Sequence, residues 1–194
     1  IQCVAAQVAH GEPPVYVAVI NDITLQKRAE QELRYLANFD TLTNLPNRAL
    51  LSERLSRAIV RARRQNHRIA VLFLDLDRFK NVNDSLGHAT GDQVLSSVAK
   101  RLRASVRASD TVSRYAGDEF TLIVENINGA EDAAHVASRV LEALGEPFQV
   151  GEEELVVTAS IGISMYPIDD VDLDTLIRHT DMAMYRSKSH GRAT

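Results

Sequence analysis

The sequence predicts an α/β domain in which helices flank a mixed central sheet. Segments with helical periodicity alternate with short β-rich runs, and a hairpin signal at residues 116–118 places antiparallel neighbours in the sheet. With 45% hydrophobic and 25% charged residues among 194, the chain can bury one ordinary core. This composition excludes a disordered, fibrous or collagen-like protein.

The N-terminal segment predicts one strand followed by a charged helix. Residues 15–20 are β-branched, aromatic or small, and a turn or capping cluster ends the run at residues 21–24. Residues 25–39 contain no Gly or Pro and are rich in charge. The positions that repeat at steps of four and three are Leu25, Ala29, Glu32, Leu36 and Phe39. This pattern is typical of either a short coiled coil or a solvated linker helix.

A break at residues 40–48 separates this helix from the rest of the chain. Pro46 biases Leu45 away from helical conformation, and Asn47 can cap a new helix. We therefore place a domain boundary at residue 40.

Helices and strands alternate beyond the break. A continuous apolar run at residues 69–74 predicts a strand buried on both faces, and Thr90 with Gln93 predicts a capping box. The remaining predictions are helices at 50–66, 130–144 and 174–189 and strands at 111–115, 119–125 and 155–166.

Charge and composition limit the partners and the compartment. A net charge of −4 argues against a broad nucleic-acid surface, and we interpret the arginines between residues 57 and 68 as a solvated helix face. No apolar run reaches the roughly 20 residues that cross a bilayer, so no membrane segment is expected. The single cysteine, Cys3, fits a reducing compartment, and we expect a cytoplasmic fragment of a longer protein that could be membrane-attached elsewhere.

Two acidic pairs are candidate metal ligands. Asp75 and Asp77 follow a buried strand and point the same way, with the Leu76 carbonyl between them. Asp118 and Glu119 follow a tight turn. Mg²⁺ favours one or two carboxylates together with substrate phosphates, whereas the alternative is that these acids only end their strands in solvent.

The turn before the second pair has an unusual composition. A two-residue hairpin turn favours positive φ at both central positions, which Gly117 adopts freely and Ala116 adopts at a cost of about 1 kcal/mol. We therefore expect either strain at Ala116 or a shifted turn.

Five motifs in order resemble the GGDEF family of diguanylate cyclases. They are DTLTNLPNR at 40–48, FLDLDRFKNVNDSLGHATGD at 73–92, RYAGDEF at 114–120, SIGISMYP at 160–167 and DMAMYRSKSHGR at 181–192. The resemblance covers residues 40–194 and implies the nucleotide-cyclase and polymerase-palm-like GGDEF fold. Residues 1–24 resemble the end of a PAS sensor domain, and residues 25–39 resemble its helical signalling linker.

The resemblance implies a reaction and its central residues. Two GTP would condense into cyclic di-GMP with release of two pyrophosphates. Asp75, the Leu76 carbonyl and Asp118 would bind Mg²⁺ or Mn²⁺, and Asp118 or Glu119 would accept the proton.

The resemblance also implies the substrate contacts. Asn83 and Asp92 would bind guanine beside His88, while Lys80, Lys188 and Arg192 would bind phosphates. The complete implied set is Phe79, Lys80, Asn83, His88, Asp92, Ala116, Gly117, Lys188 and Arg192. From the local sequence alone, Asp92 is equally explained by the first turn of a helix and Asn83 by a turn.

Regulation and assembly are implied as well. Arg107 and Asp110 match an inhibitory site for cyclic di-GMP, and two GTP in one product require a homodimer. Because Ala116 replaces a family glycine, an alternative is a weakly catalytic domain that binds GTP or cyclic di-GMP and controls a phosphodiesterase domain beyond Thr194.

Overall fold

The computed structural model describes residues 2–9, 15–151, 153–170 and 173–190, with side chains described at 21–151, 153–170 and 175–185. Two compact units divide the chain, Ile1–Ala37 and Asn38–Thr194. The elements in chain order are β1 (Gln2–Ala9), β2 (Val15–Asn21), α1 (Thr24–Asn38), α2 (Arg48–Gln65), β3 (Arg68–Leu76), α3 (Phe79–Leu86), α4 (His88–Ala104), β4 (Thr111–Ala116), β5 (Glu119–Ile127), α5 (Ala130–Gly145), β6 (Phe148–Val150), β7 (Glu153–Leu155), β8 (Ala159–Tyr166) and α6 (Leu173–His190).

The first unit is an antiparallel hairpin of β1 and β2 followed by α1. The Asp22 carboxylate accepts a hydrogen bond of 2.9 Å from the Thr24 backbone N–H, which fixes the start of the helix. The sequence indicated β2 and α1 but not β1, because Ala and Gln interrupt the apolar alternation of that segment. Helix α1 has no buried residue, and Leu25 is 80% exposed.

A four-stranded sheet forms the centre of the second unit, in the order β4-β5-β3-β8. Each of its three hydrogen-bonded pairs is antiparallel. In β3 every residue after Arg68 is buried, because helices cover both faces of the strand. The α/β class with helices flanking a central sheet is therefore confirmed, but the sheet predicted to be mixed is antiparallel at all three described pairs, because β3 pairs antiparallel with both of its neighbours.

Alternate residues of β3 pack into two separate cores. Ala70, Leu72 and Leu74 belong to the larger core, which includes buried side chains of α3, α4 and α5. Ile69 and Val71 belong to the smaller core with α2 and α6. Period-two alternation thus explains how one apolar run stabilises two helical layers.

The segment after β3 differs from the prediction. Asn83, which the local sequence explained equally by a turn, lies in a helix, α3. Asn and Asp favour turns locally, but buried Phe79 anchors this helix in the core. The capping box at Thr90 is wrong. Helix α4 begins at His88 after Gly87, whose φ of +83° permits the reversal, and the Thr90 hydroxyl donates instead to the Leu86 carbonyl at 2.9 Å.

The C-terminal strands also differ from the prediction. Residues 155–166 do not form one strand, because β7 pairs with β6 in a separate hairpin and β8 begins only at Ala159. Helix α6 lies close against β8 at Gly162, where an added Cβ would be 2.1 Å from the Thr180 carbonyl oxygen. Within the described residues, no helix combines the length and apolar character needed to traverse a bilayer.

Candidate functional site

Two acidic side chains face each other where β3 ends. Asp75 of β3 is directly opposite Glu119 of β5 and, on its other side, opposite Ser160 of β8. Directly paired residues in antiparallel strands lie on one face of the sheet, with Cβ atoms about 5 Å apart. Asp75 is only 9% exposed, so the pair has a defined geometry at the edge of the core.

The hairpin turn brings a third acid to the same end of the sheet. Gly117 and Asp118 form the turn, and the Asp118 carbonyl accepts a 3.4 Å hydrogen bond from the Leu76 backbone N–H. The structure therefore brings together Asp75, Leu76, Asp118 and Glu119. Carboxylate and carbonyl oxygens of this kind are the donors that a hard divalent cation prefers.

The described protein side chains alone do not complete the coordination of a metal ion at this sheet end. Among the described residues, no three His, Cys, Asp or Glu side chains are grouped closely enough to hold a metal ion. Mg²⁺ commonly binds through one or two carboxylates and completes its coordination with water and substrate phosphates. The residues at this sheet end fit that mode of binding.

Asp77 has a different environment from Asp75. Its carboxylate accepts hydrogen bonds from the Thr158 and Ser160 hydroxyls at 2.8 and 2.9 Å, and its backbone N–H donates to the Thr158 carbonyl. Asp77 therefore ties the end of β3 to β8.

Of the two expectations for Ala116, strain is wrong, whereas a shifted turn agrees with the structure. Ala116 lies in β4 opposite Glu119 and is not among the described residues with positive φ, whereas Gly117 has φ +48°. The register shift between Arg114 and Ala116 places a β-bulge at Tyr115, which moves the turn one residue further along the chain.

An arginine connects this turn to the start of the domain. The Nε of Arg114 donates to the Gly117 carbonyl at 2.8 Å, and its Nη1 donates to both Asp40 oxygens at 3.1 Å. Burial alone would raise the pKa of Asp40, but hydrogen bonds from Thr43 and Arg114 and the Arg114 charge hold that pKa below its ordinary value. Asp40 and Arg114 both lie in motifs that resemble the GGDEF family, but no local pattern indicated a role for either residue.

The expected guanine contacts lie on two adjacent helices. Asn83 is in α3, not in a turn, and its side chain lies directly against Gly91, the residue before Asp92. Any Cβ at Gly91 would be 1.9 Å from the Asn83 Oδ1, so glycine is required for this approach. Asp92 is beyond the first turn of α4, and no acid occupies that first turn, so the helix-dipole explanation for Asp92 is wrong.

The other substrate positions differ in their exposure. His88 and Lys80 are exposed at the starts of α4 and α3. Phe79 is buried in the core, and its backbone N–H, at the start of α3, is one of the donors that a helix leaves without an intrahelical acceptor. Lys188 is in α6, but its side chain and the whole of Arg192 lie outside the described residues.

A cavity of about 500 Å³ opens beside Glu119. Phe73 and Tyr115 line it and contact each other edge to face, with ring centroids 5.0 Å apart. The guanidinium of Arg48 lies 4.8 Å from the Tyr115 centroid. This arrangement fixes the bulged residue of the hairpin strand.

The Arg107 and Asp110 pair lies at a separate cavity. Both residues line a cavity of about 220 Å³ together with His135 and Arg139, which the sequence analysis did not identify. Asp110 is 3% exposed and accepts hydrogen bonds from the backbone N–H groups of Arg107 and Glu125 at 3.0 and 3.3 Å. Asp110 thus holds the loop, while Arg107 and Arg139 supply positive charge from two elements.

The sequence profile of the family described as "Diguanylate cyclase, GGDEF domain" matches residues 37–194. The chain belongs to the GGDEF family. Its domain is similar to the solved GGDEF domain of TpbB from Pseudomonas aeruginosa, at 40% identity and a TM-score of 0.78 over 80% of this chain and 91% of that one. The coiled coil and GGDEF domain of DgcB from Caulobacter crescentus, solved with c-di-GMP, matches at 29% identity and a TM-score of 0.77, covering 87% and 89% of the two chains.

Curated relatives are longer than this chain. The bifunctional diguanylate cyclase and cyclic di-GMP phosphodiesterase MucR of P. aeruginosa is 48% identical over 165 residues, which are 85% of this chain and 24% of MucR. The diguanylate cyclase TpbB of the same species is 40% identical over 87% of this chain and 40% of TpbB. The GGDEF domain therefore spans less than half the length of these relatives, and its family is that of cyclic di-GMP turnover.

Proposed function

We propose that this GGDEF domain is a diguanylate cyclase that condenses two GTP into cyclic di-GMP and releases two pyrophosphates. The observation that carries the proposal is the pairing of Asp75 with Glu119 next to Asp118 at the turn. Asp75 is far from Asp118 and Glu119 in the sequence, so these acids come together only through the fold.

The reaction is a phosphoryl transfer. The 3′-hydroxyl oxygen of one GTP forms a bond to the α-phosphorus of the other, the bond from that phosphorus to the β-phosphate oxygen breaks, and pyrophosphate leaves. The hydroxyl proton passes to Asp118 or Glu119. A second, reciprocal transfer closes the ring. Catalysis then depends mainly on positioning and on charge stabilisation.

A divalent cation, Mg²⁺ or Mn²⁺, completes the site in this proposal. Asp75, the Leu76 carbonyl and Asp118 would hold it, and when bound it supplies positive charge to the reacting phosphates. Lys80 at the start of α3, with Lys188 and Arg192, would hold the remaining phosphate oxygens.

Asp92 and Asn83 would select guanine. A carboxylate accepts both donors of the guanine Watson–Crick edge, whereas adenine presents an acceptor at the corresponding ring nitrogen. The contact of Asn83 with Gly91 supports this role, because it brings the amide to the residue that precedes Asp92. We expect ATP to be a poor substrate.

Each domain would bind one GTP, so catalysis requires a homodimer. Exposed leucines on α1 support a role in dimerisation, since Leu25, Leu33 and Leu36 are 80%, 67% and 50% exposed. In this arrangement residues 1–24 are the end of a PAS sensor, residues 25–39 are the signalling linker and residues 40–194 are the cyclase. GTP as substrate places the domain in the cytoplasm.

The cavity at Arg107 would bind the product and inhibit the enzyme. Two arginines, Arg107 and Arg139, face one cavity, and a guanidinium can bind either phosphate or guanine through parallel hydrogen bonds. The solved DgcB relative in complex with c-di-GMP supports binding of this ligand class by such domains.

A regulatory domain without turnover is the second candidate. Its support is the bifunctional relative MucR and the cyclic di-GMP phosphodiesterase NbdA of P. aeruginosa, which is 41% identical over 84% of this chain. In this case GTP or cyclic di-GMP binding would control an adjoining phosphodiesterase domain.

Incubation of the purified protein with GTP and Mg²⁺, followed by chromatography of the nucleotides, separates the two candidates. A cyclase yields cyclic di-GMP and pyrophosphate, with little product from ATP. Saturable GTP binding without product, at protein concentrations that give dimers, would favour the regulatory domain.

A further inference from the structure

A cavity of about 530 Å³ lies between the loop that follows α1 and the C-terminal half of α4. None of its lining residues belongs to the metal, guanine or phosphate positions of the proposed active site, or to the cavity at Arg107. The proposed functions therefore leave this cavity without a role.

Three cationic side chains line this cavity and no acid does. Arg54 comes from α2, and Lys100 and Arg103 share one face of α4 because they are three residues apart. No Asp or Glu stands three or four positions from any of them on its helix. Across the described side chains, none of the three forms an ion pair, and Arg54 donates only a long hydrogen bond of 3.5 Å to the Thr111 hydroxyl.

The nearby acids are already engaged elsewhere. Asp40 accepts hydrogen bonds from Thr43 and from Arg114 and forms its ion pair with Arg114. Glu53, the neighbour of Arg54, is paired with Arg57. Among the described side chains, the three cations therefore have no acidic partner. Their like charges repel one another, which a bound anion would offset.

Apolar residues also line the cavity. Phe39 and Pro46 of the loop and Ala99 of α4 line the cavity beside the cations. A site that combines a cluster of cations with an apolar wall suits a small molecule with an anionic group and a flat apolar part. Three cations in the lining of one cavity match the multiple oxygens of a phosphate better than the two oxygens of a carboxylate.

We propose that this cavity binds a small phosphate-bearing molecule, with its phosphate on Arg54, Lys100 and Arg103 and its apolar part, such as a nucleobase, against Phe39 and Pro46. One residue of the cavity, Pro46, is hydrogen-bonded to the strand that leads into the catalytic hairpin. The Pro46 carbonyl accepts hydrogen bonds from the Ser113 hydroxyl and the Arg114 backbone N–H, at 2.8 and 3.0 Å, and both donors belong to β4.

Adenosine 5′-monophosphate without divalent metal is a suitable probe, because the proposed active site disfavours adenine and needs a cation. Titration of the isotope-labelled chain, followed by NMR, should produce saturable shifts of the Asn44, Ala99 and Ala104 amides. Replacing all three cations by Gln should weaken the apparent affinity at least about tenfold, since the phosphate would lose its charge-assisted hydrogen bonds. Adenosine without phosphate should bind much more weakly than the monophosphate.

A matched variant removes the same charge elsewhere. Arg57→Gln with Arg63→Gln and Arg64→Gln changes three exposed arginines of α2 that do not line the cavity, and should alter the affinity less than about twofold. The double variant Lys100→Gln with Arg103→Gln changes only exposed positions, so it tests the loss of charge even if the triple variant does not fold. Equal weakening in both triple variants, shifts that do not saturate, or unshifted cavity amides would overturn the proposal.

Discussion

Asp40 and Arg114 lie 74 residues apart in sequence and are joined by two hydrogen bonds of 3.1 Å. Their side chains are 24% and 14% exposed, so solvent weakens the ion pair only in part. Arg114 also donates a hydrogen bond to the Gly117 carbonyl, and the turn that carries Asp118 is thereby tied to Asp40 in the loop after α1. The pair determines where the hairpin tip lies.

Arg114→Lys should lower the rate of cyclic di-GMP formation by about tenfold or more while GTP affinity changes little. Lys keeps the charge but cannot donate to Asp40 and Gly117 together, so the turn loses its fixed position. The measurement is the initial rate at saturating GTP, with calorimetry for binding. Arg57→Lys, at an exposed pair with Glu53, is the control and should retain the parent rate. Equal rates for both variants would show that the turn is positioned without Arg114.

Asp40→Asn should reduce the free energy of unfolding at neutral pH by about 1–3 kcal/mol, as expected for a hydrogen-bonded charge. Because the folded-state pKa of Asp40 lies below its ordinary value, its contribution is complete above the unfolded pKa, about 3.9, and is lost as pH falls through the folded pKa. The difference between parent and variant should therefore be constant near pH 7 and shrink below about pH 4. Denaturant unfolding at a series of pH values measures it, and a difference that grows toward acid would contradict this explanation.

The sequence predicted those features that depend on local patterns. The apolar run of β3 and the hairpin of β4 and β5 were found because alternation and turn residues are local signals. Helix α3 was missed, since its asparagines favour turns and only the burial of Phe79 and the contact of Asn83 with Gly91 explain the helix. The link between Asp40 and Arg114 depends on tertiary contact across the domain, which no periodicity reveals.

Two separate variants, Ala116→Gly and Gly117→Ala, test whether the turn lies at Gly117 and Asp118. Since Ala116 has no positive φ, Gly there should leave the rate within about twofold and destabilise by about 0.5–1 kcal/mol through backbone entropy. Gly117 has φ +48°, and an added Cβ would meet nothing within 4 Å, so Ala there should cost about 1 kcal/mol through backbone strain alone. Unfolding free energies and initial rates measure both. A large gain in rate for Ala116→Gly would restore the strain interpretation.

Gly162→Ala should destabilise the domain by about 1–3 kcal/mol, as expected for overpacking. The new Cβ would be 2.1 Å from the Thr180 oxygen and 2.3 Å from the Met184 nitrogen, both backbone atoms of α6 that cannot rotate away. Gly145→Ala is the matched control, because an added Cβ there meets nothing within 4 Å. Thermal unfolding should show a clear decrease for the first variant and almost none for the second. Equal melting temperatures would mean that α6 can move away from β8 at little cost.

Removal of the first metal carboxylate tests the central claim most directly. Asp75→Asn keeps the size of a side chain opposite Glu119 but removes the charge that a divalent cation requires. The measurement is the rate of cyclic di-GMP formation from GTP and Mg²⁺, compared with the parent protein and with Glu142→Gln, which removes an exposed acid of α5. We predict that turnover falls at least about a thousandfold in Asp75→Asn, with a melting temperature close to that of the parent, and is unchanged in Glu142→Gln. A rate close to the parent's in folded Asp75→Asn would contradict the catalytic site described above.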